Sequence, residues 1–300
     1  CAMALAGLLR SFAPRVGTLP VRMLSMSAAV RERTWVSQDS PKSQIGVVDY
    51  PKIKGASEIH IFLNPLNPSK EWVQRYDDAV AEFNKTVQSR KGAVTQMRPV
   101  YLCLNFRTLG DVFVMQSARH VTSDSNDYII EEAYYDGKFF ADRGFDVIRH
   151  KIEAYGGCDG VPLTDEEALK YPNRYWEFHL RVNRNGDAPS NDITKEEIAE
   201  LKKLSEEYTE KWQVPVPLSY NAYKEGKQRF LNFRVGGCGR ETALSSVQKI
   251  KDDLAANASF KHLEVGKSHT EYVWYDDNRN MDRGWIDFTS QEQKSVLNIQ

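Results

Sequence analysis

Two short segments that each carry a glutamate and a histidine are the main candidates for chemistry in this sequence. Glu58 and His60 lie in the first half of the chain, and Glu177 and His179 lie in the second. Imidazole has a pKa near neutrality, and a neighbouring carboxylate can orient it and stabilise its charged form. We therefore take these four side chains as candidate catalytic residues, with the histidines as proton carriers.

The two segments belong to a longer internal repeat. The matching pairs are 58–64 with 177–183, 99–105 with 215–221, Arg119 with Arg234, and Glu153 with Glu271. The offsets between the members of these pairs stay between 115 and 119 residues. A steady offset over four elements indicates a diverged duplication.

Each half shows the same order of predicted elements: strand, helix, strand, strand, helix, strand. Ile59, Ile61 and Leu63 alternate with polar residues, which predicts a strand. Apolar residues spaced by three and four over residues 71–87 predict a helix with one buried face. The second half has a similar helix, and Thr194 followed three residues later by a glutamate predicts a capping box at its start.

The predicted fold class is therefore α+β, a tandem duplication of ferredoxin-like βαββαβ units with antiparallel sheets. The predicted organisation is a presequence and polar connector at 1–56, a first ferredoxin-like repeat at 57–160, a linker at 161–173, and a second repeat with a C-terminal extension at 174–300.

The open faces of the two sheets are the predicted location of the site. In a ferredoxin-like unit two helices cover one face of the sheet, so alternate residues of each strand point away from the helices. If the open faces of the halves meet, His60 and His179 approach each other in a polar cleft that suits an anionic ligand. The residues predicted to bind this ligand are Arg119, Lys151, Arg181, Asn221, Arg234, Arg240, Lys267 and Glu271. The alternative is a solvated sheet face that carries cross-strand ion pairs.

A glycine-rich loop at residues 234–240 is a second candidate for anion binding. It precedes the second helix of the second half and is flanked by Arg234 and Arg240. Free amides at a helix N-terminus favour anions. The alternative is a turn that needs glycine for its backbone conformation.

A metal site is a further alternative, since His60 with Glu153, and His179 with Glu271, supply nitrogen and oxygen ligands. Repeated modules that bind metal in this way use a strand where both halves here have a long second helix. We therefore predict no metal, and the sequence identifies no cofactor.

Composition limits the classes of partner and the compartment. The net charge is −1 and there is no long basic run, which argues against nucleic acid. No apolar stretch is long enough for a membrane span. The first 34 residues contain five arginines and one acidic residue, which predicts a mitochondrial presequence. A plastid presequence and the N-terminal tail of a cytoplasmic protein are the alternatives.

The expected function is an organellar enzyme that acts on a small phosphate- or carboxylate-bearing metabolite by histidine-mediated acid/base chemistry. The alternative is a non-catalytic ligand-binding or assembly protein of an organellar complex. The sequence leaves open the substrate, the reaction and assembly into a homo-oligomer.

Overall fold

In the computed structural model, eight strands pair edge to edge and form one closed barrel. The strands are β1 (Gly55–Asn64), β2 (Arg98–Phe106), β3 (Gly110–Ser123), β4 (Asp146–Tyr155), β5 (Tyr175–Arg184), β6 (Leu218–Asn221), β7 (Arg229–Gly236) and β8 (Leu263–Asp276). Their order around the barrel is β1-β3-β2-β6-β7-β5-β8-β4, and every neighbouring pair is antiparallel.

The described part of the chain belongs to one unit, residues 37–300. It comprises residues 50–88, 95–106, 110–172, 174–184, 192–212, 216–224, 228–257 and 263–278, without the side chains of residues 88, 105, 106, 110, 212 and 267. The predicted presequence lies outside the described residues.

Helices lie between the strands in the predicted places. They are α1 (Lys70–Gln88), α2 (Asn126–Ala141), α3 (Asp165–Ala168), α4 (Lys195–Trp212) and α5 (Arg240–Ala256). At the start of α4, the amide of Thr194 donates to Glu197 Oε2 at 2.8 Å and the amide of Glu197 donates to Thr194 Oγ1 at 3.2 Å. The predicted capping box is thereby confirmed. None of the described helices is long and apolar enough to cross a membrane.

Two seams join the strands of the first half to those of the second. The first half is ordered β4-β1-β3-β2 and the second β8-β5-β7-β6. At one seam β2 pairs with β6, with Leu102 opposite Asn221, and at the other β4 pairs with β8, with Glu153 opposite Val273. The prediction of a mixed α+β fold with antiparallel pairing is confirmed. The cleft predicted between the open faces of the two halves corresponds to the interior of one barrel, because the strands are continuous at both edges.

The main hydrophobic core lies between the sheet and the helices. Ile59, Ile61 and Leu63 on β1 are fully buried there, together with helix residues such as Tyr76 and Phe83. Phe178, Leu180 and Val182 are the corresponding buried row of β5. Successive side chains of a strand point to opposite faces, so the alternate rows point into the barrel. The interior of an eight-stranded barrel is narrow enough for such side chains to fill it.

Candidate functional site

The barrel interior brings together most of the residues predicted for the site. In the register of the sheet, Glu58 lies opposite Glu153 and His60 opposite Lys151. On the other side of the barrel, Glu177 lies opposite both Arg234 and Glu271. The predicted residues in this interior network of charges are Glu58, His60, Lys151, Glu177, His179, Arg234 and Glu271.

His60 and Glu153 form the first of two histidine–glutamate pairs. Nε2 of His60 lies 2.9 Å from Oε2 of Glu153, and the imidazole is almost completely buried. Burial favours the neutral ring, but the charge and hydrogen bond of Glu153, with the charge of Glu58, outweigh it and raise the pKa of His60. The pKa of Glu153 is held well below its usual range, because Lys151 and His60 outweigh the effect of its burial.

Lys151 and Glu177 connect this pair to the second half of the chain. Nζ of Lys151 lies 2.5 Å from Oε1 of Glu153 and 2.9 Å from Oε2 of Glu177. Glu177 also receives Arg234, whose Nη2 lies 2.7 Å from Oε1. Two buried cations therefore meet two buried carboxylates, so this part of the interior is electrically balanced. Against the effect of its burial, the two carboxylates raise the pKa of Lys151, which stays charged.

His179 and Glu271 form the second pair. Nε2 of His179 lies 3.4 Å from Glu271 Oε2 and 3.7 Å from Glu177 Oε2, and a third of the imidazole side chain is exposed. Burial lowers the pKa of His179, but its hydrogen bond to Glu271 and the charges of both carboxylates raise it to about 9. The pKa of Glu271 is raised by its burial and by the charge of Glu153.

A hydrogen-bond chain fixes the protonation of His179. Nδ1 of His179 lies 2.6 Å from Oδ1 of Asn232. The amide nitrogen of Asn232 donates to Ser219 Oγ at 2.8 Å and to the Pro217 carbonyl at 2.9 Å, which assigns the amide oxygen to His179. Nδ1 of His179 is thus a donor, and Nε2 faces a carboxylate. Both ring nitrogens carry protons in this arrangement.

One end of the network continues to residues that the sequence analysis did not include. Arg98 Nη2 lies 2.5 Å from Glu58 Oε1, and His120 Nδ1 lies 3.8 Å from Glu58 Oε2. His120 also stacks on Tyr155, with ring centroids 5.7 Å apart. The strand register is the signal that could have identified His120, because Glu58 and His120 are direct partners in the β1–β3 pair.

Arg119 is not part of the interior, and its predicted position is wrong. It lies opposite Ile59 in the sheet, on the face that packs against the helices. There its fully buried guanidinium binds Asp136 at 2.8 Å and Glu132 at 2.9 Å, both on α2. Burial and Arg119 act in opposite directions on Asp136, and burial prevails and raises the pKa of Asp136 to about 7.

The amides expected to make an anion cradle in the glycine-rich loop already have partners. The Gly239 amide donates to Asp165 Oδ1 at 2.8 Å, and the Arg240 amide donates to the Pro162 carbonyl at 2.9 Å. A side chain on Gly239 would overlap with the backbone of Thr164, so close approach of the segment before α3 requires glycine there. The Arg240 side chain instead donates to the Gly156 carbonyl, at 3.4 Å. The prediction of a free anion cradle is therefore wrong.

Arg181 and Asn221 form hydrogen bonds with residues outside the network. Arg181 Nε donates to Asn183 Oδ1 at 3.0 Å, and Asn221 Oδ1 accepts from the Tyr223 amide at 3.1 Å. The side chain of Lys267 lies outside the described residues. Within the described ranges, no group of three or more His, Cys, Asp or Glu side chains is placed to hold a metal ion.

Sequence and structure comparisons give little support for any known family. No family model matches the sequence, and no curated protein matches it. One solved structure with partial similarity is described as a novel heme-binding protein from Thermus thermophilus. It is 15% identical, the alignment covers 83% of this chain and 99% of that chain, and the TM-score is 0.26. A TM-score this low carries no argument about the fold or the function of the present chain.

Proposed function

We propose that this protein is an enzyme that moves protons on a small anionic ligand inside the barrel, with His60 and His179 as the proton carriers. The observation that carries the proposal is the presence of two histidine–glutamate pairs in the barrel interior, His60 with Glu153 and His179 with Glu271. A histidine that is oriented and charged by a carboxylate partner is the usual arrangement for general acid/base catalysis.

The different environments of the two histidines assign their roles. His179, with a pKa of about 9, carries a proton at neutral pH and serves as the general acid. His60 uses Nε2 for Glu153, and no described residue lies within hydrogen-bonding distance of its buried Nδ1. In the neutral ring Nδ1 is therefore available as the general base. The raised pKa of His60 makes that form a stronger base, and Glu153 stabilises the imidazolium that forms.

The ligand's negative charge belongs near His179 and not near Lys151. Lys151 and Arg234 already pair with Glu153 and Glu177, so they offer no net positive charge. Around His269, which lies opposite His179 in the sheet, burial and the charges of His179, Arg181 and Lys224 lower the pKa of that histidine, against the opposing charge of Glu58. These three cations favour a carboxylate or phosphate at this end of the interior.

The proposal includes a duplicated origin for the site. We propose that each half is one ferredoxin-like unit, since both halves pair their strands in the order fourth, first, third, second. Both halves also place the histidine on the first strand and its glutamate on the fourth. The barrel then brings the two copies to one interior, as expected for a pseudo-symmetric site.

The test combines ligand binding with hydrogen exchange. Wild-type protein, His60→Gln and His179→Gln are titrated with short 2-oxo- and hydroxycarboxylates and with inorganic phosphate. Exchange of carbon-bound hydrogen with D₂O is followed by NMR for each carboxylate. We expect His60→Gln to slow exchange by about 10²–10⁴-fold, far more than it changes affinity, as is usual on removing a general base, and His179→Gln to weaken binding.

The matched control is His150→Gln, at a buried histidine on the helix-covered face of the sheet, whose Nδ1 lies 2.8 Å from Asp277 Oδ2. It should bind and exchange like the wild type. Equal binding and exchange in all three variants would show that the pairs are structural, and would favour the alternative of a non-catalytic protein with a buried ion network.

A further inference from the structure

The barrel interior has an apolar part as well as a charged one. Phe62, Leu104 and Val114, on β1, β2 and β3, form a buried cluster that is separate from the main core. The partly buried side chains around this cluster are Leu66, Leu102, Val112 and Ile148. The inward rows of β2 and β3 are thus mainly hydrophobic, whereas β4, β5, β7 and β8 supply most of the charges. A ligand in this interior meets two kinds of surface.

Two polar atoms lie at the border between these surfaces. Gln116 is the direct partner of Phe62 in the sheet, and the His60 and Phe62 rings have centroids 6.4 Å apart. Each of the two polar residues is only 9% exposed. Among the described residues, none hydrogen-bonds Nδ1 of His60 or Oε1 of Gln116. Buried polar atoms of native proteins nearly always have a partner, so both atoms point to a bound group.

The chemistry of these two atoms defines the group that fits between them. Nε2 of His60 faces a carboxylate and carries the proton in the neutral ring, which leaves Nδ1 as an acceptor. Oε1 of Gln116 is also an acceptor. A hydroxyl or N–H group supplies the required donor, whereas a carbonyl oxygen or an ether does not. A hydroxyl at this position also has its proton directed towards the proposed general base.

We infer that the ligand is an amphipathic hydroxycarboxylate. Its hydroxyl donates to His60 or Gln116, its alkyl or aromatic body lies on the Phe62–Leu104–Val114 cluster, and its carboxylate lies towards His179. The inference rests on the proposed function for the location of the site, and it adds the class of substrate.

A homologous series of ligands tests the apolar part. The probes are 3-hydroxycarboxylates of four to ten carbons, titrated into wild-type protein by calorimetry. Each methylene that becomes buried should tighten binding by about fourfold, the factor that corresponds to the usual transfer free energy of one CH₂ group. Val114→Thr, which keeps the volume but adds a hydroxyl to the cluster, should reduce this gain per methylene. Affinity that does not change with chain length would overturn the inference.

A second series tests the donor. The matched carboxylates without the hydroxyl should bind about tenfold more weakly, because they leave the buried acceptors without a donor. Gln116→Leu should bring the two series closer together in affinity. Equal affinities of both series for the wild type, or no binding of either, would contradict the inference.

These outcomes are separate from those that test the proposed function. Loss of hydrogen exchange in His60→Gln concerns catalysis, whereas the dependence on chain length and hydroxyl concerns recognition. Binding that follows both series without any exchange would uphold the substrate class and refute the enzyme. Exchange that occurs equally on short and long probes, with no difference in affinity, would uphold the enzyme and refute the substrate class.

Discussion

Replacement of Lys151 by methionine gives the most direct test of the interior network. Methionine keeps the length of the side chain but removes the cation shared by Glu153 and Glu177, whose side chains are each only 2% exposed. Removing one partner of a buried ion pair typically costs about 3–5 kcal/mol, since a charge stays buried without compensation. Glu153 keeps His60 and Glu177 keeps Arg234, so we expect the lower end, about 3 kcal/mol at pH 7.

The measurement is urea unfolding followed by circular dichroism, with free energies from linear extrapolation. The matched control is Lys211→Met, which removes a cation from an exposed pair with Asp253, and should cost less than about 1 kcal/mol. Adding Glu153→Gln to Lys151→Met should recover part of the lost stability, because that carboxylate is then neutral and its remaining partner, His60, can release its proton.

The pH dependence sharpens the test. In Lys151→Met the freed carboxylates gain protons more easily, so the stability difference from wild type should shrink as the pH falls. If Lys151→Met costs no more than Lys211→Met at pH 7, the interior ion network described above is wrong. A difference that is the same at pH 4 and pH 7 would show that the cost comes from packing and not from charge.

Three further changes have expected outcomes. His179→Gln should lower the free energy of unfolding by about 1–2 kcal/mol at neutral pH. The rise in the pKa of His179 from 6.5 to about 9 corresponds to about 3 kcal/mol for a fully buried group, and the exposure of a third of the side chain reduces this value. Because the folded pKa is the higher one, this stabilisation is complete below pH 6.5 and disappears as the pH rises through about 9, which chemical unfolding at a series of pH values would reveal. Gly137→Ala should lower the thermal midpoint although alanine favours helices, because the new methyl group would overlap with the buried ring of His150. The control is Gly144→Ala, in open space with a φ of 74°, which should lower the free energy of unfolding by only about 1 kcal/mol. Tyr76→Phe should cost about 1 kcal/mol in urea unfolding, because a buried hydroxyl that donates to a strand carbonyl at 2.8 Å is removed, and no change would indicate that water replaces it.

The alternation of β1 and β5 was predictable because their two faces differ sharply. Isoleucine and leucine fill the helix-facing row of β1, and phenylalanine, leucine and valine fill that of β5, whereas glutamate and histidine recur on the opposite rows. The same pattern is weak in β3, where the inward row includes Val112 and Val114 and the outward row includes Ser117 and Arg119. Hydrophobicity alone does not assign the faces of such a strand.

The position of Arg119 shows how far a one-residue error in alignment reaches. The predicted repeat matches Arg119 with Arg234. The structure instead places His120 opposite Glu58, as it places Arg234 opposite Glu177, so His120 has the register position equivalent to that of Arg234. Since side chains alternate along a strand, a shift of one residue moves a predicted ligand from the interior to the helix-covered face.

Closure of the barrel was not predictable from the separate halves. A local pattern identifies strands and their faces, but the two seams depend on contacts between residues far apart in sequence. The same holds for the start of α3, where the Pro162 carbonyl and the Asp165 side chain accept hydrogen bonds from amides of the glycine-rich loop. Local sequence around residues 234–240 contains no sign of that contact.

The two seams also determine how this chain can fold and what a fragment of it would do. Leu102 and Asn221, which pair across one seam, are 119 residues apart, and Lys151 and Asp276, which pair across the other, are 125 residues apart. The barrel therefore cannot close until nearly all of the chain is available. Until then the first half presents two unpaired edges, β2 and β4, and exposed edges are templates for pairing with other chains. An isolated first half should therefore self-associate through these edges, and the connection between the halves supplies within one chain what a dimer would otherwise provide.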